Sequence, residues 1–139
     1  MKLLYILEIL FLTVETIKDI KTQTLDLGEL LIFLAAGFIV RIFWIHEDVW
    51  NIFPAMSIGI IMLGISFLSG EAMGYGDGMV VLVTGVLCGM RITIVTVCIA
   101  FFVMSVLAVC LLIKNGFYYR AKVPFVPCIL AGFLGGLFI

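Results

Sequence analysis

Apolar residues run in long stretches through nearly the whole chain, and this pattern most restricts the fold. A helix that crosses a bilayer needs about 20 mostly apolar residues, and roughly six stretches approach that length. They are residues 2–17, 28–45, 51–69, 78–90, 92–113 and 123–139. The pattern predicts an all-α protein, a polytopic transmembrane bundle of about six helices.

The composition agrees with a location in lipid. Of the 139 residues, 65% are hydrophobic and 12% are charged. A soluble domain of this size has too little interior to hide so much apolar surface. One integral-membrane domain over residues 1–139 is the natural interpretation at this length. The net charge of −1 gives no basic field that would attract nucleic acid. The predicted partner is therefore the lipid bilayer and not a nucleic acid.

Signal-peptide and metal-site patterns have little support. Glu8 interrupts the first apolar stretch and no small-x-small cleavage site follows, so we interpret this stretch as a membrane helix. The cysteines occur singly inside apolar stretches and form no C-x-x-C pair of the kind that binds zinc or supports redox chemistry. We predict neither a metal nor an organic cofactor.

Basic residues in the short loops orient the predicted spans. One side of the membrane receives Lys18, Lys21, Lys114, Arg120 and Lys122. The other side receives Lys2, Arg41 and Arg91. Because cytoplasmic loops carry the excess of basic residues, the first, third and fifth loops are predicted to be cytoplasmic and both termini to be outside.

Polar residues recur at helical spacing on two of the predicted spans. An ionisable group within a membrane is costly unless it has a partner, so such residues usually face the interior of a bundle. Those on the first helix are Glu8, Glu15, Asp19 and Thr22, and those on the fourth are Asp77, Thr84, Cys88 and Arg91. The spacing puts each set on one helical face, and we predict that both faces point inward.

Asp19 and Asp77 are both predicted at the cytoplasmic edge of a span, where they could form an aspartic protease pair. In such a pair an ionised carboxylate takes a proton from the attacking water. The protonated partner stabilises the oxyanion and later protonates the leaving nitrogen. Helix dipoles favour Asp77, at a helix start, as the anion and Asp19, near a helix end, as the protonated partner, although the basic residues beside Asp19 oppose this.

Simpler interpretations of both aspartates remain open. Asp77 lies in the glycine-rich loop 70–78 and could cap a helix in a connecting turn. Asp19 could be an ordinary acid at the membrane edge, beside Lys18 and Lys21. Residue spacing alone does not separate these interpretations from catalysis.

Three segments, in order along the chain, resemble the motifs of type IV prepilin peptidases, a family of GxGD aspartic membrane proteases. Gly74-Tyr75-Gly76-Asp77 matches the GxGD motif and leads into an apolar helix, as it does in that family. Asp19-Ile20-Lys21-Thr22 resembles the first catalytic segment, an Asp followed by a basic residue and Thr. Val123-Pro124-Phe125-Val126-Pro127 is similar to the closing P-F-x-P segment that enters the last span.

The resemblance implies packed transmembrane helices with a catalytic pair, Asp19 and Asp77, at the cytoplasmic face of the inner membrane. The reaction it implies is removal of short basic leaders from prepilin-like or flagellin-like precursors. The supporting residues carried over from the motifs are Gly74, Tyr75, Gly76, Lys21, Thr22, Pro124, Phe125 and Pro127.

The chain departs from the family pattern at two sites. Leu25-Asp26-Leu27 stands where family members usually have I-P-N, and Gly78-Met79-Val80 stands where a lysine often follows the GxGD segment. The cytoplasmic domain with paired cysteines, present in larger members, has no counterpart in this sequence. The resemblance is thus to the short form, and it implies the peptidase reaction without methylation of the new pilin amino terminus.

Two further acids could contribute to substrate binding. Glu15 lies one helical turn before Asp19, and Glu71 lies close to the GxGD segment, so each could contact the basic leader. Each also has a simpler interpretation, Glu15 as an inward polar residue satisfied by a neighbouring helix and Glu71 as a solvated loop residue.

Two other functions remain compatible with the sequence. A small transporter or channel subunit could use the intramembrane acids to line a cation path, since acids are expected there as much as in a protease. The second alternative is an inactive peptidase homologue that acts in pilus assembly.

Overall fold

The computed structural model describes residues 2–22, 24–44, 49–68, 74–115 and 124–138, and over these residues it consists of six α-helices and one π-helical turn. The helices are α1 (Lys2–Thr22), α2 (Leu27–Ile39), α3 (Val49–Leu68), α4 (Tyr75–Cys88), α5 (Met90–Asn115) and α6 (Val126–Gly136). The π-helical turn, Val40–Trp44, continues α2. The predicted all-α architecture and helix number are confirmed.

Local chemistry explains where α2 begins and α4 ends. Asp26 caps α2, and its side chain accepts a hydrogen bond of 2.9 Å from the Gly28 N–H. Gly89 ends α4 with φ of 82°, a left-handed conformation that glycine adopts without a steric penalty. Because the helix breaks at Gly89, Arg91 belongs to α5 and is exposed. The prediction that Arg91 continues the inward stripe of α4 is therefore wrong.

Two helix pairs pack with their backbones almost touching: α3 with α4, and α5 with α6. A Cβ placed on Gly59 of α3 would lie 2.5 Å from Cα of Leu82, and one on Gly132 of α6 would lie 2.3 Å from the carbonyl oxygen of Thr96. Glycine allows this approach because it has no side chain at the contact. The other contacts are smaller. They join α1 to α6 and α4, α2 to α4, and α5 to α3 and α4.

The α4 helix occupies the centre of the molecule. Every residue in 80–88 is buried, and the apolar ones join residues of the other five α-helices in two hydrophobic clusters. The inward stripes are confirmed for Glu8, Glu15 and Asp19 on α1 and for Thr84 and Cys88 on α4. Thr22, at the end of α1, is exposed, contrary to the prediction.

Large apolar side chains cover much of the outer surface. Among the described helices, α5 alone, over Met90–Lys114, is both long and apolar enough to cross a membrane. Ile52–Leu68, Tyr75–Cys88 and Val126–Gly136 are apolar but shorter. The sequence predicts about six spans, and length and composition support one of them among the described residues.

Candidate active site

Asp19 lies in the last turn of α1 and faces the amino terminus of α6. Its Oδ2 accepts a hydrogen bond of 3.1 Å from the Val126 N–H, and the Phe125 N–H also donates to the carboxylate. The side chain is 7% exposed. The carboxylate of Asp19 is therefore held by the backbone of a helix that is more than 100 residues away in sequence.

The segment that opens α6 has only a few backbone donors to offer. Pro124 and Pro127 have no N–H, and the N–H of Cys128 bonds the Phe125 carbonyl at 2.9 Å. Phe125 and Val126 therefore carry the available N–H groups of this helix start, and Asp19 accepts from both. The P-F-x-P segment thus forms a cradle for an anion, which the positive end of the helix dipole also favours.

Asp77 lies in the first turn of α4, and Gly74 is the N-cap. The Asp77 carboxylate accepts a hydrogen bond from the Gly74 N–H, and its own N–H donates to the Gly74 carbonyl at 3.1 Å. This is the return bond of a capping box, made from the third residue of the helix. The simpler interpretation of Asp77 as the N-cap itself is therefore wrong, although the residue does help to cap α4.

The glycines around Asp77 allow close contact with neighbouring side chains. A Cβ on Gly76 would lie 2.4 Å from Cδ1 and 2.9 Å from Cβ of Leu25, in the loop between α1 and α2. A Cβ on Gly78 would lie 2.9 Å from Cδ2 of Leu63. Leu25 therefore covers one side of the loop that presents Asp77, and Leu63 of α3 covers another.

The two aspartates interact electrostatically. Burial and the charge of Asp19 raise the pKa of Asp77 to about 6. Burial also raises the pKa of Asp19, but the N–H groups of Val126 and Phe125 oppose this rise because they stabilise the ionised form. When the pair holds one proton, the geometry thus favours Asp77 as its carrier. From the dipoles of α1 and α4 alone, the sequence predicts the opposite, with the proton on Asp19. That prediction does not include the start of α6, because the sequence gives no sign that α6 begins beside Asp19.

The other predicted site residues divide into exposed side chains and one buried side chain. Lys21, Thr22 and Tyr75 are exposed, and the Thr22 hydroxyl donates to the Lys18 carbonyl at 2.9 Å within its own helix. Phe125 is buried, with its ring centroid 5.4 Å from that of Phe101. These contacts place Phe125 in the support of the α6 cradle and put Lys21 and Tyr75 at the surface.

Of the two acids predicted to bind substrate, the structure describes one. Glu15 is fully buried, and neither carboxyl oxygen has a hydrogen-bond partner among the described residues. It interacts electrostatically with Lys18, Asp26 and Asp19. Glu71 lies outside the described residues.

Sequence reasoning missed two residues of this site. Val126 contributes a backbone N–H, so its side-chain identity carries no signal, and it occupies the unspecified position of P-F-x-P. Leu25 is noticeable in the sequence only as a departure from I-P-N, yet it packs on the GxGD loop. A loop contact of this kind has no periodicity by which the sequence could indicate it.

Comparison with known families gives a match over most of the chain. The model of the type IV leader peptidase family matches residues 6–109, a stretch that contains Asp19 and the 74–77 segment. The P-F-x-P segment lies beyond the matched stretch. No curated protein and no solved structure matches the chain closely enough to count as a relative.

Proposed function

Since the chain belongs to the type IV leader peptidase family, we propose that it is an aspartic endopeptidase that cleaves the basic leader from prepilin-like or flagellin-like precursors. The observation that carries this proposal is the electrostatic interaction of Asp19 with Asp77, two carboxyl groups at adjoining ends of α1 and α4. Two carboxyl groups that share a proton are the chemical requirement of aspartic proteolysis.

The hydrogen bonds around the pair support an assignment of roles. Asp19, ionised and held by the α6 cradle, takes a proton from water as the water oxygen attacks the scissile carbonyl carbon. Asp77, protonated, donates to the carbonyl oxygen and neutralises the charge that develops there. When the tetrahedral intermediate collapses, Asp19 returns its proton to the leaving nitrogen and Asp77 recovers its own from the intermediate.

The proposed setting is the cytoplasmic membrane, with residues 1–139 as one multi-pass domain and the aspartate pair at the cytoplasmic face. The apolar outer surface and the membrane-length α5 support it. The shorter helices would cross where neighbouring helices and loops complete the span. The apolar helix of a precursor would then approach from the lipid, with its scissile bond at the polar edge.

Glu15 and Glu71 are the residues we propose for contact with the basic leader. Glu15 is fully buried, so a cationic side chain of the leader would reach it only if the side chains that cover it move, and it would then supply a hydrogen-bond partner for the Glu15 oxygens. Glu71 follows α3 and precedes the GxGD segment in sequence.

Co-expression with candidate precursors tests the proposal. We expect loss of the leader, followed by mass and gel mobility, with the wild type and none with Asp19→Ala or Asp77→Ala. Asp26→Asn is the matched control, because it removes a nearby charge while an amide oxygen can still cap α2. That variant should cleave as the wild type does.

Two results would overturn the proposal. Cleavage that survives both alanine substitutions would show that the pair is not catalytic. A wild type that processes none of the precursors, yet conducts cations into proteoliposomes in a manner that depends on its buried acids, would identify a transporter instead.

A further inference from the structure

A hydrogen bond deep in the bundle joins the two helices that carry the aspartates. The Thr84 hydroxyl of α4 lies 2.6 Å from Oε1 of Glu8 on α1, across 76 residues of sequence. Both side chains are fully buried. Neither residue belongs to the motifs that identify the family, and neither touches the aspartate pair.

The Thr84 hydroxyl has two oxygen neighbours and one proton. It lies 2.6 Å from Glu8 Oε1 and 3.0 Å from the Val80 carbonyl oxygen, one turn earlier in α4. A carbonyl oxygen can only accept a hydrogen bond, so the Thr84 hydroxyl must donate its one proton to the Val80 carbonyl if the bond between them is made. The short contact with Glu8 then requires a proton on the Glu8 carboxyl, which donates to the hydroxyl oxygen.

The surroundings of the second Glu8 oxygen favour the same arrangement. Oε2 is buried and has no hydrogen-bond partner among the described residues. A full carboxylate would leave charge on that oxygen without a donor, which is far more costly than an unpaired carbonyl oxygen. The titratable side chains nearby are Cys88 on α4, which interacts electrostatically with Glu8, and beyond it Arg41 on the π-helical turn.

We propose that Glu8 is a neutral carboxylic acid and that, with Thr84, it forms a clamp that fixes α1 against α4 and so positions Asp19 relative to Asp77. The hydrogen bond and the proton on Glu8 do not depend on the proposed function. The role in positioning a catalytic site rests on the proposed function.

The clamp has the leverage that this role requires. Glu8 is 11 residues from Asp19, or about 16 Å along α1, and Thr84 is seven residues from Asp77, or about 10 Å along α4. The rest of the contact between these helices is largely apolar, with residues such as Phe11, Leu12 and Val80. Apolar contacts surrounded by lipid have little directional preference, whereas a hydrogen bond between two side chains sets one register.

Infrared spectroscopy tests the proton on Glu8. At neutral pH we expect the difference spectrum between wild type and Glu8→Gln to show the carbonyl band of a protonated carboxylic acid. Thr84→Val should shift this band because its hydrogen bond is lost. If the difference spectrum showed carboxylate bands instead, Glu8 would be ionised, and the proposal would be overturned.

Spin labels test the positioning without any need for activity. Labels at Ile20 and Tyr75, both exposed near the aspartates, report the separation of α1 and α4 once the exposed Cys98 and Cys110 are replaced by alanine. Thr84→Val should shift or broaden the distance distribution, and Thr84→Ser, which keeps the hydroxyl, should restore it. An unchanged distribution in Thr84→Val would show that the clamp does not set the register.

The matched control is Thr93→Val. Thr93 is also fully buried, but its hydroxyl bonds only the Gly89 carbonyl at 2.8 Å among the described residues, so its loss breaks no contact between helices. In cleavage assays Thr84→Val should lower kcat on the order of 10- to 100-fold with little change in KM, since misplacement by about 1 Å can cost about a hundredfold. Thr84→Ser and Thr93→Val should cleave as the wild type does.

These measurements separate two kinds of failure. An equal loss of kcat in Thr84→Val and Thr93→Val would overturn the positioning role and leave the peptidase assignment intact. If the wild type cleaves no precursor while the infrared and spin-label results are as expected, the proposed function fails and the clamp stands.

Discussion

The Asp77 carboxyl should make the stability of the protein depend on pH. Its pKa of about 6 is above the ordinary value of 3.8 because of burial and the Asp19 charge. Between these two values the unfolded chain loses the proton while the folded chain keeps it, so stability falls as pH rises through this window. Above about pH 6 the loss is complete and remains.

Replacing Asp77 by asparagine should therefore stabilise the protein at neutral pH. An amide cannot ionise, and its oxygen can still accept from the Gly74 N–H. We expect a gain of at most about 3 kcal/mol at pH 8 and little change at pH 4, since one unit of pKa shift is worth about 1.4 kcal/mol. Unfolding in detergent micelles at both pH values measures it. Asp26→Asn, at an exposed acid, should show no such pH-dependent gain.

The same proton should limit activity on the alkaline side. With Asp77 as the protonated partner, kcat/KM for precursor cleavage should fall as pH rises through about 6, because Asp77 loses the proton it must donate. A pH–rate profile of the wild type measures this limb. A rate that keeps rising from pH 6 to about 8 would contradict the assignment of the proton to Asp77.

Gly76 and Leu25 allow a test by compensation. Gly76→Ala should reduce cleavage strongly, because its new Cβ would lie within 3.0 Å of three Leu25 side-chain atoms. Adding Leu25→Gly removes those atoms and should restore part of the activity. Leu27→Gly, at a more exposed leucine of the same region, is the control and should restore none. Equal rescue by both leucine changes would mean that Leu25 does not press on the GxGD loop.

At the scale of helices, the start of α6 depends on a carboxylate supplied by α1. Asp19→Ala leaves the N–H groups of Phe125 and Val126 without their acceptor in a buried setting. Each unsatisfied donor costs about 1–3 kcal/mol. We expect Asp19→Ala to destabilise the protein by about 2 kcal/mol or more. Asp19→Asn should destabilise it much less, because its amide oxygen can accept one bond and because it removes a buried charge whose pKa burial raises.

Chemical unfolding at pH 7 compares these variants directly. Asp19→Ala should then lower stability, because two N–H groups lose their acceptor, whereas Asp77→Asn should raise it. An Asp19→Ala variant as stable as the wild type would mean that the α6 cradle finds another acceptor.

The sequence predicts the helices well and their ends less well. Long apolar runs indicate all six described helices, and helical spacing correctly turns Glu8, Glu15 and Thr84 inward. The predicted inward position of Arg91 on α4 is wrong because the helix break at Gly89 depends on a backbone conformation that apolar periodicity does not encode. Arg41 is buried beside Gly89, a contact that depends on how the π-helical turn meets the end of α4.

The pairing of helices also lies beyond sequence reasoning without homologues. Motif resemblance indicates Asp19 and Asp77 as partners, and the structure gives them an electrostatic interaction. Motif resemblance does not indicate that the P-F-x-P segment supplies the hydrogen-bond donors for Asp19, since that depends on packing between the first and last helices. The preference for Asp77 as the proton carrier depends on the same contact.

At the scale of the whole molecule, the four cysteines allow a test of whether the bundle lies in a membrane. Cys98 and Cys110 are exposed on α5, whereas Cys88 and Cys128 are buried. In intact membranes we expect Cys98 and Cys110 to resist a charged maleimide, because maleimide addition needs water at the sulfur, and to react once detergent replaces the lipid and admits water. Cys88 and Cys128 should react only after denaturation. Peptide mass spectrometry locates the labels, and rapid reaction of Cys98 with the charged reagent would contradict a membrane-spanning α5.

The near-contact of backbones at Gly59 and Gly132 has a consequence for catalysis. It holds α3 close to α4 and α5 close to α6, so Asp77 belongs to the first pair of helices, while the N–H groups that bond Asp19 belong to the start of the second. The distance between the two acids therefore depends on how these helix pairs pack against each other, as well as on the contact between α1 and α4. If the pair is catalytic as proposed, a change in bilayer thickness or an inhibitor that separates the two helix pairs would stop cleavage without altering either carboxyl group.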